Sequence, residues 1–534
     1  MGPIRVCAVT GLLTLSALSW VLGGGPAAGA ARAAQPAGPG SWTVYHGAVD
    51  GGGFAAGVTA VNTASPAWTS PALDGELYGE PLVWSGHVYV ATEDDTVYEL
   101  SAATGAVLWS AQLGRPVPST DLPCGDIGPT AGITGTPVID PSRGEIFVVA
   151  DELVNGQAAH MFAGLSTATG KVEVTQDVDP AGAAPTALLQ RTGLTLDDGR
   201  VVFGMGGNDG DCASYRGRVI AVPEQGGTPS IFTVDAAADE SQGAIWMGGA
   251  APVVDGSGNV WVTAGNGSVS SASDPYDDSD SILKLSPSLA LAQYFAPTTW
   301  PANNAADLDM STAPALLPDG QVILTGKSRI VYLLNQAKLG GIGGQQATLG
   351  SACGGDIDGG VAVQGMTVYL PCTSGISAVQ ATRSPASVRL LWSSGTGGGP
   401  PIVAAGLVWT IGRNGVLYGL SPATGAVRQQ VTIGAVANHF STPSLAGGLL
   451  LAPTANQVVA FTASATASAT ASAAPSSGAS SSGATASSPA ASSSAASAPT
   501  AGSGFPAAAI GGIIVVVAAV VGGLSWLVSR RRNT

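Results

Sequence analysis

Residues 88–114 read VYVATEDDTVYELSAATGAVLWSAQLG and contain the unit that decides the fold. The pattern returns as VWTIGRNGVLYGLSPATGAVRQQVTIG at residues 408–434 and, in a looser form, as IFVVADELVNGQAAHMFAGLSTATGKVEV at residues 146–174. Each copy has short runs of β-branched and aromatic residues, which favour strands, separated by a polar turn and an Ala-Thr-Gly turn. The glycine of the second turn can adopt the positive φ that a tight connection needs. The chain is therefore predicted to repeat a small β-sheet.

A further short strand opens each unit, often at a Pro-Val or Pro-Leu pair such as Pro81-Leu82. Weaker units are marked by the strand-like runs VVFGMGG at residues 201–207 and MTVYLPC at residues 366–372. About eight units of roughly 40–60 residues then fill the middle of the chain, and four-stranded antiparallel units of that length are typical of β-propeller blades. We predict an all-β, eight-bladed β-propeller, with seven blades as the alternative count and a two-sheet sandwich array as the alternative fold.

The two ends of the repeat region complement each other. The last unit, residues 444–461, has only three predicted strands, whereas residues 66–70 form an isolated strand ahead of the first unit. If the isolated strand pairs with the last unit, the ring closes and no strand edge stays exposed. The sandwich alternative explains neither this strand nor the Ala-Thr-Gly turns. The sequence therefore predicts that Trp68 lies beside the segment around Val458.

The first residues have the order of a secretory signal peptide. Arg5 precedes an apolar run at residues 6–22, and small residues then offer cleavage sites at residues 28–30 and 31–33. We predict a signal peptide at residues 1–33; the alternative is an uncleaved membrane anchor, for which the run is short.

The other end of the chain predicts a membrane anchor. Residues 507–528 are uncharged and rich in Val, Ile and Ala, which is long enough to cross a bilayer as a helix. Arginines at positions 530, 531 and 532 follow, and positive charge beside a span stays cytoplasmic. The tail 529–534 is therefore predicted to be cytoplasmic and the propeller, residues 41–461, extracellular, in a single-pass protein of the cell membrane. The Ser/Ala/Thr-rich residues 462–505 predict a disordered stalk between them.

Charge and cysteine content narrow the partners. The net charge is −15 with only 10% charged residues, which argues against nucleic acid as a partner and leaves cations as plausible ligands. Apart from a cysteine in the signal region, the chain has Cys124, Cys212, Cys353 and Cys372, an even set in an oxidising compartment. We predict disulfides between Cys124 and Cys212 and between Cys353 and Cys372, while the spacing alone leaves the other pairings open.

The string V-Y-x-L-x-x-x-T-G-x-x-x-W, at residues 97–109, resembles the repeat of pyrroloquinoline quinone (PQQ) propellers. That superfamily includes quinoprotein alcohol dehydrogenases and also non-catalytic members, so the resemblance implies the fold more strongly than an activity. Residues 243–268 resemble the dehydrogenase segment in which a Trp lies beneath PQQ and an Asn ligates Ca²⁺. The resemblance implies PQQ stacking on Trp246 and Ca²⁺ binding by Asn266, although inter-blade packing and a turn role are the plainer interpretations of these residues.

Residues 303–314, NNAADLDMSTAP, resemble the dehydrogenase segment D-x-W-D-Y-D, whose first Asp is the catalytic base. Matching the later pair to Asp307 and Asp309 places Asn304 at the position of the base, and an amide cannot accept the alcohol proton. The resemblance implies Asp307 as a candidate metal ligand in a site without a base, although a turn or capping role is the plainer interpretation of Asp307 and Asp309.

The remaining polar clusters favour structural roles. In residues 207–222 the position of a Ca²⁺-ligating Glu falls near Asp211 or Cys212, and a disulfide-bonded cysteine cannot ligate as a thiolate. The acidic loop at residues 274–281 lacks the spacing of a known Ca²⁺ loop and is predicted to be a solvated turn. The sequence thus favours a non-catalytic surface module that binds a protein, glycan or small ligand; the alternative is a PQQ- and Ca²⁺-dependent alcohol or sugar dehydrogenase.

Overall fold

The computed structural model describes Gly2 and residues 40–234 and 241–465, and these residues form a ring of eight β-sheets. The main strands of each blade pair antiparallel, and in blades 1 to 7 these strands follow one another outwards from the axis in chain order. The eight-bladed propeller is therefore confirmed. The strands of the first four blades are Leu82–Trp84, His87–Ala91, Thr96–Ser101 and Val107–Gln112; Val138–Asp140, Glu145–Val154, Gln157–Ser166 and Val172–Asp177; Thr195–Asp197, Arg200–Gly207, Arg218–Pro223 and Ser230–Thr233; and Val253–Val254, Val260–Ala264, Ser281–Leu285 and Leu291–Ala296.

Blades 5 to 8 repeat the arrangement. Their strands are Ala315–Leu316, Gln321–Leu324, Val331–Asn335 and Ala347–Leu349; Ala362–Gln364, Thr367–Cys372, Gly375–Arg383 and Ala386–Ser394; Ile402–Ala404, Leu407–Gly412, Val416–Leu420 and Val427–Thr432; and Ser444–Ala446, Leu449–Pro453 and Val458–Ala465. Short strands at Leu188–Leu189 and Gly341–Ile342 extend blades 3 and 4, and Val117–Pro118 pairs with Thr130–Ala131. The helical elements among the described residues are the α-helix Trp300–Ala305 and 3₁₀ turns at Tyr45–Gly47, Ser119–Asp121, Pro185–Ala187 and Met247–Gly249.

Blade 8 is closed by strands from the start of the described chain. Trp68–Thr69 pairs antiparallel with the last strand, Trp68 opposite Ala460 and Thr69 opposite Val459, as predicted. A second strand, Val58–Asn62, pairs with the C-terminal part of the last strand, from Thr462 to Ala465. This second strand was not predicted. Because of this pairing the last strand continues to Ala465, so the domain boundary predicted after residue 461 falls within a strand.

Tryptophans on the outer strands connect neighbouring blades. The Nε1 groups donate to main-chain carbonyls of the next blade: Trp68 to Ala102 at 2.8 Å, Trp109 to Thr167 at 3.0 Å and Trp392 to Pro422 at 2.8 Å. Each indole also lies on the glycine of an Ala-Thr-Gly turn, Gly105, Gly170 or Gly425, whose φ is about +70° and which has no room for a Cβ. Trp68 thus makes, across the ring closure, the contact that Trp109 makes between blades 1 and 2.

An axial segment, residues 42–55, fills one end of the channel between the blades. It begins with reciprocal main-chain hydrogen bonds between Trp42 and Val83 in blade 1, and ends with Phe54–Ala55 parallel to the inner strand of blade 7. His46 is buried in it, stacked on Tyr45 at 4.3 Å, and burial lowers the pKa of His46 to about 4. This segment has no repeat pattern and was not predicted.

The strand direction gives the disc two different faces. Turns between first and second strands and between third and fourth strands lie on one face, here called the turn face. The loops between second and third strands and the longer connections between blades lie on the other, here called the loop face.

Two disulfides hold connections of the loop face. Cys124 is bonded to Cys212 and Cys353 to Cys372, which are the two predicted pairs. The first joins the connection after blade 1 to a loop of blade 3, and the second joins the connection after blade 5 to a strand of blade 6.

Within residues 40–234 and 241–465, no helix is long and apolar enough to cross a membrane. The predicted signal peptide at residues 1–33, the stalk after Ala465, the span 507–528 and the tail 529–534 lie outside the described residues.

Candidate functional site

The residues singled out by the dehydrogenase resemblance meet on the loop face. Trp246 precedes the 3₁₀ turn Met247–Gly249 in the connection from blade 3 to blade 4. Asn266 follows the second strand of blade 4, and Asp307 and Asp309 follow the helix Trp300–Ala305 in the next connection. The blade repeat therefore brings separate stretches of sequence to one place near the axis.

Trp246 is half-buried and already has ring partners on this chain. The Nζ of Lys327 lies 5.4 Å from its ring centroid, and the ring of Phe440 meets it edge-on, with centroids 6.0 Å apart and planes at 81°. An indole stabilises both a cation over its face and the edge of a second ring. A flat ligand that stacked on Trp246 would compete with Lys327 and Phe440 for contact with the indole ring.

The buried carboxylate of the site is paired with a lysine. Lys327 Nζ lies 2.7 Å from the carboxylate of Asp309 and 3.0 Å from that of Asp307. The main-chain amide of Asn266 donates to Asp309 Oδ1 at 2.6 Å. Burial raises the pKa of Asp309, opposed by Lys327. Burial alone would lower the pKa of Lys327, but the two carboxylates outweigh it and raise that pKa. The charge that a metal ion would supply at Asp309 is therefore supplied by an ammonium group.

Asn266 faces the site through its side chain as well. It is 8% exposed, and its Nδ2 lies 3.5 Å from Asp211 Oδ2. Its main-chain carbonyl accepts a hydrogen bond from Gly243 at 2.8 Å. Among the described residues, no three His, Cys, Asp or Glu side chains are grouped so that they could hold a metal ion.

Asn304, at the position of the dehydrogenase base, makes hydrogen bonds through both polar atoms of its side chain. Its Oδ1 accepts from the Gly267 amide at 3.0 Å, and its Nδ2 donates to the Val269 carbonyl at 2.7 Å and to Ser279 Oγ at 2.8 Å. The side chain is 6% exposed. Donation to a carbonyl requires the amide and not a carboxylate. Asn304 therefore holds the long loop of blade 4 in place.

The acidic loop at residues 274–281 differs from the predicted solvated turn. Asp277 and Asp280 are 3% and 0% exposed. Asp277 accepts from Ser279 Oγ at 2.6 Å, and Asp280 accepts from Asn303 Nδ2 at 2.6 Å. Burial raises the pKa of both carboxyl groups. The prediction was wrong because the Ser279 hydroxyl and the Asn303 amide supply hydrogen bonds that make burial of these groups tolerable.

Arg191 is a further buried residue of the loop face that the sequence analysis missed. Its guanidinium lies 4.9 Å from the Phe440 ring centroid and 5.7 Å from that of Tyr78. The side chain is 7% exposed, and its Nη2 has no hydrogen-bond partner within the described part of the chain. Burial lowers the pKa of Arg191. Arg191, Lys327 and Phe440 lie in connections or loops without a repeat pattern, so no sequence signal identified them.

Comparison with known proteins agrees with this architecture. Residues 34–276 match the PQQ_2 family, described as outer membrane protein assembly factor BamB. No curated protein sequence matches the chain significantly.

The similar solved structures include both enzymes and an assembly factor. Two of them are quinohemoprotein alcohol dehydrogenases, ADHIIG of Pseudomonas putida HK5 at 14% sequence identity and the enzyme of Comamonas testosteroni at 13%. Each has a TM-score of 0.61, and each comparison covers 80% of this chain and 81% of the other chain. BamB of Moraxella catarrhalis has a TM-score of 0.50 at 13% identity, covering 74% of this chain and 99% of that protein. At these identities the likeness extends to the fold alone.

Proposed function

This chain is an eight-bladed β-propeller of the PQQ-repeat superfamily, and from that starting point we propose that it is a binding or scaffold module rather than an active dehydrogenase. It is displayed outside the cell at the membrane, with residues 462–505 as a spacer and residues 507–528 as the single transmembrane anchor. Its partner is a protein, a glycan or a small ligand at the cell surface, reached through the exposed faces of the disc.

The pairing of Lys327 with Asp309 is the observation that carries the proposal. The 2.7 Å ion pair neutralises the buried carboxylate of the site, and Asn304 replaces a base with an amide that already makes three hydrogen bonds. General-base catalysis needs a group that can accept a proton from the substrate. The Asn304 amide is not such a group, and the charge of the Asp309 carboxylate is already balanced by Lys327.

The centre of the loop face also has features suited to ligand binding. Phe440 and Tyr78 flank the buried guanidinium of Arg191, whose Nη2 lacks a partner among the described residues. A buried charge without a partner costs several kcal/mol in general, which a bound hydrogen-bond acceptor would offset. Aromatic rings and an arginine are the side chains that dominate many binding surfaces.

The second candidate function is a PQQ- and Ca²⁺-dependent alcohol or sugar dehydrogenase. It is favoured by the meeting of Trp246, Asn266 and the Asp307–Asp309 segment at one site. The residues around them do not fit the two cofactors. Lys327 and Phe440 contact the ring on which the quinone would stack, and Lys327 binds the carboxylates that a calcium ion would need.

A cofactor-retention experiment separates the two functions. The purified full chain is mixed with PQQ and CaCl₂, passed through gel filtration, and then assayed for dye reduction with a panel of alcohols. We expect no PQQ in the protein peak, no turnover and an unchanged Tm, since a ligand that binds the folded state raises the Tm.

The Asn304→Asp variant is expected to gain no activity in the same assay. Its new carboxylate oxygen would face the Val269 carbonyl, so the variant should lose about 1–3 kcal/mol of stability. Retention of PQQ that is abolished by Trp246→Ala, but not by Trp84→Ala elsewhere in the ring, would instead establish the dehydrogenase-type site.

A further inference from the structure

The axial segment binds the blades through a repeated main-chain contact. The second residue of an inner strand directs its amide towards the axis, and in five blades that amide donates to a carbonyl of the segment. The pairs are Val83 with Trp42 at 2.8 Å, Ile139 with Thr43 at 2.8 Å, Val254 with Val49 at 2.7 Å, Val363 with Gly52 at 2.8 Å and Val403 with Gly53 at 2.7 Å.

The corresponding amides of blades 3, 5 and 8 make no such contact within the described residues, and the axial segment passes over blade 5 on its way from blade 4 to blade 6. Gly51 donates to the Ala48 carbonyl at 2.9 Å in a tight turn, and its φ of +65° carries the chain directly from blade 4 to blade 6. Leu316 is the corresponding residue of blade 5. The amide of Leu317 pairs within the blade, with Gln321 at 2.8 Å, so by the alternation of a strand the Leu316 amide points to the axis. It has no acceptor within the described residues.

An open cavity of about 440 Å³ lies where the missing contact would be. It is formed by the axial segment and by the turns between first and second strands of blades 4, 5 and 6, so it is on the turn face, at the opposite end of the strands from Trp246. The residues of its wall that carry the argument are Asp50, Phe54, Val254, Leu316, Pro318 and Gln364.

The wall of the cavity is apolar with an acidic rim. Phe54 is 41% exposed, although it belongs to the strand paired with blade 7. Asp50 is exposed at the rim, and Asp255 nearby has a pKa that is lowered, because hydrogen bonds from Asn259 and Trp261 outweigh the effect of burial. Lys284 Nζ lies 3.6 Å from the Asp255 carboxylate and offsets its charge, so the exposed Asp50 is the carboxylate that disfavours an anionic occupant and favours a cationic one.

We propose that this cavity binds an extended peptide segment of a partner protein, which carries an apolar side chain next to a basic residue. A main-chain carbonyl of the peptide accepts the hydrogen bond of the Leu316 amide, as the axial segment does in five other blades. The apolar side chain packs between Phe54 and Val254, and the basic residue lies beside Asp50. Adding a peptide main chain to a free strand edge is a common mode of recognition.

The probe for this site is the peptide acetyl-Gly-Leu-Lys-amide, titrated calorimetrically into the purified full chain. Its charge-reversed control is acetyl-Gly-Leu-Glu-amide, in which the glutamate side chain is a free carboxylate. We expect the lysine peptide to bind with a Kd of about 1 mM, since a ligand of this size has few contacts. The glutamate peptide should bind at least about fivefold more weakly.

Two variants locate the binding. Gln364→Trp fills the cavity and should weaken the lysine peptide about tenfold or more, whereas Gln157→Trp, on an exposed hairpin of blade 2, should not change its affinity. Asp50→Lys should remove the preference for lysine. Gln364 and Asp50 are both exposed, so we expect the Tm of each variant to stay unchanged.

The proposal is overturned if the lysine peptide shows no saturable binding, or if Gln364→Trp binds it as the unmodified chain does. It is also overturned if Gln364→Trp abolishes a concentration-dependent dimer while no peptide binds, because the occupant is then a second copy of this chain. The PQQ experiment concerns the other face, so its outcome does not affect this one.

Discussion

Replacing Trp68 by alanine is expected to destabilise the propeller by about 3–5 kcal/mol, the usual cost of removing a buried tryptophan. Trp68 is 8% exposed, pairs with Ala460 and donates to the Ala102 carbonyl, so it joins the last blade to the first. The loss would be measured as a lower urea midpoint in equilibrium unfolding.

The neighbouring Thr69→Ala serves as the control, since Thr69 is in the same closing strand but its side chain is exposed. It should change stability by less than about 0.5 kcal/mol. Trp68→Phe keeps an aromatic ring on Gly105 but lacks the Nε1 donor, so its loss of stability should lie between those of Trp68→Ala and Thr69→Ala. If Trp68→Ala were as stable as Thr69→Ala, residues 66–70 would not close the ring.

Replacing His160 by glutamine is expected to cost about 3–5 kcal/mol at pH 7, because it leaves buried carboxylates without their charge partner. His160 lies in the long hairpin of blade 2, with Nε2 2.7 Å from Asp151 and Nδ1 2.7 Å from Asp179. Burial would lower the pKa of His160, but the two carboxylates outweigh it and raise the pKa to about 10. The ring is therefore charged at neutral pH.

This raised pKa gives the effect a defined pH dependence. A group that binds its proton more tightly in the folded state stabilises fully below its unfolded pKa of about 6.5, and loses that contribution as the pH rises through the folded value. The difference in urea midpoint between the unmodified chain and His160→Gln should therefore narrow from pH 7 to pH 10.5. His87→Gln, at a more exposed histidine, should show no comparable change. A difference that widened with pH would contradict a charged His160.

The ring and its closure could be predicted because their signals are local and repeated. Each Ala-Thr-Gly turn needs a glycine because its φ is positive, and an indole can pack against the turn only where no Cβ is present. The sequence therefore keeps a recurring T-G pair and a recurring W. Residues 66–70 could be recognised as a closing strand because the last unit has only three predicted strands of its own. The pairing of Cys353 with Cys372 was predicted as well, although the spacing alone left the other pairings open.

The axial segment could not be predicted, because its contacts are made by main-chain carbonyls that every residue possesses. Thr43, Val49 and Gly52 have no feature in common that would mark them as axial. The second closing strand, Val58–Asn62, lacks a repeat partner in the same way.

The candidate site was predicted only in part, because long-range partners decide its chemistry. The position of Asn304 could be read from the sequence, but its bonds to Val269 and Ser279 depend on a loop whose course no pattern gives. Lys327 was missed because a single lysine in a turn has no signature. It is nevertheless the residue that decides the charge of the site.

Calcium titration of the purified full chain tests most directly whether Lys327 occupies the place of a metal ion beside Asp309. We expect no heat of binding and no change in Tm on adding CaCl₂, and we expect Lys327→Met to lose stability because the buried Asp309 then lacks a positively charged partner. Saturable binding of calcium by the unmodified chain, lost in Asp309→Asn but not in Asp319→Asn on the turn face, would contradict this result and return the site to the dehydrogenase type.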